Sequence, residues 1–302
     1  MQKKFLVAIL VSLLIGVLSL TGCSSDDGVA TILLPDPDVQ NATIQGVELQ
    51  RVTTLPPVWD VPASPEPQTT ADEVITTSLL QLSPLYLGEL IAIMHTSAGD
   101  IAIRFFPTEA PLAVENFLTH AWDGFYNGII FHRVIPEFMI QTGCPLGTGT
   151  GGESIWGGQF GQELSPQLRH FRGALAMAQT AMPNSIGSQF YVVQNTSIDS
   201  QTRAHYLELL EMQDELFPVF ADGSTATIGE VFPADSLNYF LENGGTPHLD
   251  WHNSDNPHTV FGHVVWGMDV VDAIANTNAS NSRPNDDITI NGFSFFTVAG
   301  GV

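Results

Sequence analysis

The chain has 302 residues, 44% of them hydrophobic and 14% charged, with a formal net charge of -23. That is enough chain to bury a full core, so one main folded domain with extra segments is expected. So acidic a surface repels phosphate backbones and offers no counterion release, which argues against nucleic acid as a partner. Both lysines, Lys3 and Lys4, lie near the N-terminus, and every other basic residue apart from histidine is arginine. Basic or neutral polypeptides suit this charge as partners, although acidity also serves solubility alone.

The opening MQKKFLVAILVSLLIGVLSLTGC places two lysines before an apolar run over residues 5–20 and ends in Leu20, Thr21, Gly22 and Cys23. Residues 1–22 therefore read as a secretory signal. The ending resembles the bacterial lipoprotein box, in which the cysteine takes a diacylglyceryl thioether and becomes the first residue after cleavage. That resemblance implies lipidation of Cys23 and an extracytoplasmic protein anchored to the cell membrane, each buried methylene contributing about 0.8 kcal/mol. The alternative, an uncleaved membrane helix, is disfavoured because the run is shorter than the ~20 residues of a comfortable span. If Cys23 is lipidated, Cys144 has no internal disulfide partner. No basic residue lies near Cys144 in sequence to lower its pKa, so it reads as a partly buried structural thiol.

Residues 23–82 shift to Asp, Pro, Thr and Gln, and LPDPDVQ and LPPVWDVPASPEPQ rule out long helices. They read as a tether, extending at about 3 Å per residue where proline-rich. Within it, ATIQGVELQRV at 42–52 has a second reading, a strand that docks on the domain.

The folded domain is expected over residues 83–302. LIAIMHTSAGDIAIRFF reads as a hairpin around a Gly99-Asp100 turn. In APLAVENFLTHAWDG, Pro111 sits near a first helical turn, and Val114, Phe117, Leu118 and Ala121 recur at helical spacing. GIIFHRVI, FMIQTG, GALAMAQ, SQFYVVQ and TVFGHVV follow as short strands, then GMDVVDAIAN as a second helix and DITINGFSFFTV as a last strand. Many short strands with two helices suggest a mainly β fold, a closed antiparallel barrel. The segment at about 196–246, an insertion between the SQFYVVQ and TVFGHVV strands, is long enough for structure of its own. HYLELLEMQDELF brings Tyr206, Leu209, Leu210, Gln213, Leu216 and Phe217 together at helical spacing, and DSLNYFLENGG reads as a helix capped by Asp235 and stopped by Gly244. Two placements stay open for the insertion: part of a substrate groove wall, or a decoration packed away from any site.

The chemistry concentrates in FHRVIPEFMIQTGCPLGTGTGG at 131–152, which joins the isolated cation Arg133 to Phe138, Met139, Gln141 and a glycine run. The glycines at 147–152 lack the lysine and following helix of a phosphate-binding loop. Nothing marks a serine-histidine hydrolase. HLDWHNSDNPH holds His248, His252 and His258 with Asp250 and Asp255, residue types that bind transition metals, but loop histidines without fixed geometry are usually solvated or structural, so no metal is expected.

Taken with GALAMAQ, NSIGSQFYVVQ and HTVFGHVVWGMDVVDAI, this stretch resembles the cyclophilins, peptidyl-prolyl cis-trans isomerases, over most of residues 83–300. The resemblance implies an eight-stranded antiparallel barrel capped by two helices. It also implies catalysis of rotation about Xaa-Pro bonds, whose barrier is ~18–20 kcal/mol, with no cofactor, nucleophile or metal. Arg133 would be the donor that favours the pyramidal prolyl nitrogen of the twisted state. Phe138, Met139, Tyr191 and Leu249 would grip the proline ring, and Gln141 would hold Arg133 and the substrate carbonyl. His132 and His258 would line the site, Gln189 would contact substrate, His248 would stand at the pocket rim, and the backbone of Ala178 and Gln179 would bind the residues before the proline. Glu137 stands where the family usually has glycine, Gln179 where asparagine is common, Tyr191 where phenylalanine is common, Cys144 where aspartate is frequent, and His248 where cyclosporin-sensitive members have tryptophan, so weak cyclosporin binding is expected. The expected protein is a monomeric, membrane-anchored folding catalyst acting on Xaa-Pro segments of secreted or surface proteins. The rival is a non-catalytic Pro-peptide binding module or chaperone on the same barrel.

Overall fold

The computed structural model describes residues 41–55, 79–182, 184–217, 225–252 and 254–300. The expected signal, Cys23 and most of the expected tether lie outside these residues. Twelve strands in the described residues are numbered here in chain order: β1 (Asn41–Ile44), β2 (Val47–Arg51), β3 (Leu90–Thr96), β4 (Gly99–Phe105), β5 (Arg133–Ile135), β6 (Met139–Thr142), β7 (Ala174–Met177), β8 (Phe190–Val193), β9 (Val260–Trp266), β10 (Ala279–Ser280), β11 (Arg283–Pro284) and β12 (Ile290–Gly300). Ten of them form one antiparallel sheet in the order β1-β2-β12-β3-β4-β9-β7-β8-β6-β5. The approach to β5 then meets the approach to β12: Ile130 bridges Thr289, and the amide of Phe131 donates to the carbonyl of Ile288 at 2.9 Å. The eight strands from β12 to β5 are thus the expected set, with their two ends brought together through that bridge.

The β1–β2 hairpin lies inside the stretch read as a tether, and of the two readings of residues 42–52 the docked strand is the one observed. β2 pairs with the C-terminal half of β12. The reason is legible in β3. Its LIAIM run is buried at every position, and an unbroken apolar strand needs both faces covered. Leu90, Ala92 and Met94 enter the main core, whereas Ile91 and Ile93 pack with Ile44 and Leu49 of the hairpin and with Phe296 and Val298. The β3–β4 turn also differs from expectation. Thr96 pairs with Gly99, so Ser97 and Ala98 form the two-residue loop and Gly99, at φ 137°, opens the next strand.

Helix α1 (Pro111–Trp122) covers one side of the main core and α5 (Met268–Ala275) adds Val271, Ile274 and Ala275 to it. Phe117 sits at its centre, with ring centroids 5.0 to 5.6 Å from Phe105, Tyr126, Phe190, Phe261 and Phe293. Ala110 cannot cap α1, so Glu163 accepts from the amides of Leu112 and Ala113 at 3.0 and 2.8 Å. A carboxylate there satisfies orphan donors at the positive end of the helix.

The insertion contains α2 (Ser200–Glu211), α3 (Ile228–Val231) and α4 (Ala234–Asn243). It has its own core, Tyr206, Leu209, Ile228, Val231, Phe232, Leu237 and Phe240, built onto Phe171 and Leu79. Two local expectations are corrected. The first helix stops at Glu211, leaving Leu216 71% exposed rather than on its apolar face. Asp235 lies in the first turn of α4 and is not its cap, whereas Gly244, at φ 80°, does end that helix.

Candidate active site

Antiparallel register brings the functional side chains together. Arg133 on β5 stands opposite Gln141 on β6, which stands opposite Tyr191 on β8. Arg133 Nη1 donates to Gln141 Oε1 at 3.2 Å, Gln141 Nε2 donates to Gln189 Oε1 at 3.0 Å, and Gln189 Nε2 donates to the carbonyls of Gly149 and Gly151 at 2.9 and 2.8 Å. This relay fixes both amide orientations and ties the strand residues to the glycine loop. Gly143, which carries the chain out of β6 at φ 82°, leaves no room for a side chain, because a Cβ there would lie 2.5 Å from the carbonyl oxygen of Ser188.

Beside the relay lies an apolar depression. Met139 and Tyr191 are buried and pack with the partly buried Phe138, Ala178 and Leu249. The Arg133 guanidinium stands 5.8 Å from the centroid of the Phe138 ring, and the exposed His248 stacks on that ring at 5.8 Å. Arg133 itself is exposed, and among the described residues it has no carboxylate partner. A cleft of about 150 Å³ opens next to the relay, lined by Gln141, Gln179, Gln189, Ala178 and the glycines at 149, 151 and 152.

The Tyr191 hydroxyl pairs with His258 Nδ1 at 3.1 Å, which supplies the partner that a buried phenol requires. Burial holds the Tyr191 hydroxyl protonated well above its ordinary range and pushes His258, helped by the nearby His170, down to about 4. His132 is buried where Arg133 is exposed, against the loop at Gly149. Burial, then Arg133 and Arg283, pushes it down to about 4, so it is neutral and adds no charge near Arg133.

The family described as "Cyclophilin type peptidyl-prolyl cis-trans isomerase/CLD" matches residues 91–294. The chain belongs to that family. Proteins of Staphylococcus aureus strain USA300 and of Staphylococcus saprophyticus, both named as peptidyl-prolyl cis-trans isomerases, are each 41% identical to it over 204 residues, 67% of this chain and 90% of theirs. A crystal structure of a Cryptosporidium parvum cyclophilin-type isomerase aligns at 26% identity and a TM-score of 0.49, covering 70% of this chain and 98% of that one.

Within this cyclophilin, the departures from the family pattern have structural counterparts. Glu137 keeps the left-handed backbone that glycine would favour, at φ 56°. Its carboxylate accepts from the hydroxyl of Thr196 at 2.6 Å and its amide at 3.2 Å, joining the pocket strand to the start of the insertion. The longer Gln179 reaches Asn256 Oδ1 at 3.0 Å and the Pro257 carbonyl at 2.8 Å. The amide of Ala178 is committed to the Gln189 carbonyl at 2.9 Å, so the expected binding by backbone in this segment falls to its other groups.

Several contributors carry no sequence motif. Asp250 is 2% exposed, and its Oδ1 accepts from both the amide and Nδ1 of His170 at 2.7 Å. The His170 ring stacks on Tyr191 at 6.2 Å, so this pair backs the proposed pocket from inside. The histidine- and aspartate-rich segment is therefore split among separate partners, and among the described residues no group of three or more metal-binding side chains converges. Asn116 and Tyr126, from the α1 region, fix the loop before β8 by donating to the carbonyls of Gly187 and Ser188 at 2.9 and 3.0 Å. Cys144 is buried, which pushes its thiol up. The loop amides of Gly151, Thr148, Leu146 and Gly149 outweigh that and hold it below its ordinary value, a source invisible to a search for nearby basic residues.

Proposed function

We propose that the chain turns Xaa-Pro bonds at the Arg133 groove and does so as a lipid-anchored, extracytoplasmic catalyst for folding secreted or surface proteins. The observation that carries the site assignment is the Arg133–Gln141–Gln189 relay beside an apolar pocket, with the guanidinium held by an amide oxygen and, among the described residues, no carboxylate. A salt bridge would spend the cation on structure, whereas an amide orients it and leaves N–H groups for a ligand. The proline ring enters between Phe138, Met139, Tyr191 and Leu249. Gln141 holds Arg133 and offers its remaining side-chain N–H to the preceding carbonyl, while Gln189, whose own N–H groups are taken by Gly149 and Gly151, fixes Gln141. As the amide twists, its nitrogen loses conjugation and becomes an acceptor, and Arg133 donates to it. That contact exists only in the twisted state, which is the condition for lowering the barrier.

The test is cis-trans exchange of a proline tetrapeptide measured by NMR with the full chain and Arg133→Ala. Faster exchange that collapses in the variant supports the reading, and undiminished exchange in Arg133→Ala ends the assignment. Peptide binding without faster exchange would move the protein to the binding-module reading. The anchor is tested separately by fractionation. Cys23→Ala should shift the protein from membrane to soluble fractions, and an unchanged distribution removes that part of the proposal.

A further inference from the structure

A second cavity of about 430 Å³ opens beside the groove and shares His248 with it, the residue that stacks on Phe138. Most of its other walls come from the insertion, among them Ile198, Asp199, Thr202, His205 and Tyr206. Tyr206, 1% exposed, and the partly buried Ile198 bring the edge of the insertion core to this cavity. Asp199 is held rigidly as the cap of α2. Its Oδ1 accepts from the amides of Gln201 and Thr202 at 2.9 and 3.0 Å, and its Oδ2 accepts from the Thr202 hydroxyl at 2.6 Å. A carboxylate oxygen has room for a further donor beyond that one. The Thr202 hydroxyl, then its amide, hold Asp199 below the usual carboxylate range, so it stays charged. Glu137 is fastened at Thr196, just before this wall. Among the described residues no lysine or arginine lines the cavity, and Arg203 of α2 turns to the Leu241 carbonyl at 3.0 Å.

Ile198 and Tyr206 beside a fixed carboxylate without a cationic partner among the described residues suit a long side chain that lays its stem along apolar atoms and carries a cationic head. We propose that this cavity is a subsite for a lysine or arginine of the client polypeptide, carried on the stretch that follows the isomerised proline. The assignment of direction rests on the proposed function above and on the role that the resemblance implies for Ala178 and Gln179, binding the residues before the proline, which leaves the His248 side for those after it. It also gives the insertion a role. The helices added to the barrel select clients by charge, and the catalytic groove stays that of the family.

The experiment uses the full chain and two octapeptides that contain one proline and differ only in lysine or glutamate three residues after it. Affinity is read by calorimetry at low and high salt, and exchange by NMR in the same samples. The lysine peptide should bind about threefold tighter at low salt, the size expected of an exposed charge pair, with the difference shrinking as salt rises. Asp199→Asn keeps the helix cap while removing the charge, and should bring the two peptides to equal affinity. Glu208→Gln removes a charge from an exposed position of α2 outside the cavity and should leave the preference intact. Equal binding in the unmodified protein, or a preference that survives Asp199→Asn, overturns the subsite. An equal loss in Glu208→Gln overturns it as well, by assigning the preference to the overall negative charge. A lysine preference without accelerated exchange would support the subsite and defeat the isomerase assignment, so the two failures are told apart.

Discussion

Arg104 and Arg133 occupy two regions of the same sheet and are treated in opposite ways. Arg104, on β4, is 1% exposed, with Nε and Nη2 both 2.7 Å from Glu89 Oε1 and Nη1 donating to the Ser83 carbonyl. Arg133 is exposed, bonded to the amide oxygen of Gln141 and leaning on the Phe138 ring. In an acid-rich chain a carboxylate partner is easy to supply, so a cation held by an amide beside an apolar pocket stands out. Pairing converts an arginine into a structural bolt. Orientation by a neutral group keeps its charge available to a ligand.

Removing the carboxylate from the buried pair should have the largest effect. Glu89→Ala leaves Arg104 uncompensated in the interior and should cost about 3–5 kcal/mol of stability in chemical denaturation, while Glu89→Leu with Arg104→Met should recover much of it. A loss under ~1 kcal/mol would show that the pair is wet and that burial misleads. Arg133→Ala should do the reverse, reducing accelerated prolyl exchange by about 10²- to 10³-fold with the unfolding midpoint unchanged. Large destabilisation in that variant would place Arg133 among the structural arginines after all. Gln141→Ala tests the tether itself. Freed of one orienting bond, Arg133 should lose about five- to tenfold in exchange rate, and a variant as fast as the parent would leave the relay without a role.

A smaller, graded effect comes from pH. Burial is the leading cause of depressed pKa values at His132, His252 and His258, each pushed down to about 4, and at His263, pushed down to about 3. Unfolded imidazoles titrate near ~6.5, so between about 6.5 and 4 the unfolded chain binds more protons than the folded one. Stability should therefore fall as pH drops through that window and hold above it. Urea midpoints at pH 7 and pH 5 check the sign, and equal midpoints would mean that these histidines protonate in place. Because His258 stays neutral down to about 4, its bond to Tyr191 should persist at pH 5, and exchange should fall less than stability does.

Much of the site was open to sequence reasoning because it is written locally. Arg133, Phe138, Met139 and Gln141 fall within nine residues, so a single β5–β6 hairpin brings them together. Tyr191 and Gln189 belong to the next paired strand and the loop before it. The supporting shell was not legible. Asp250 and His170 lie 80 residues apart and Gln179 and Pro257 lie 78 apart, with no periodicity to link them. The sequence leaves the hairpin at 41–51 between a tether and a docked strand, because proline-rich neighbours dominate its composition and its partner, β12, is distant in sequence.

The mainly β class, α1 and α5, the helical character of the segment at 196–246 and the cation-aromatic-amide motif follow from the sequence, since all of these rest on spacing over a few residues. Only the tertiary structure decided that β3 needs a second covering layer, that the loop amides around Cys144 act on its thiol, and that the insertion wall meets the groove at His248. Those outcomes depend on which distant surfaces are driven together to leave water and to satisfy buried donors and acceptors, and neither requirement can be read from neighbouring residues.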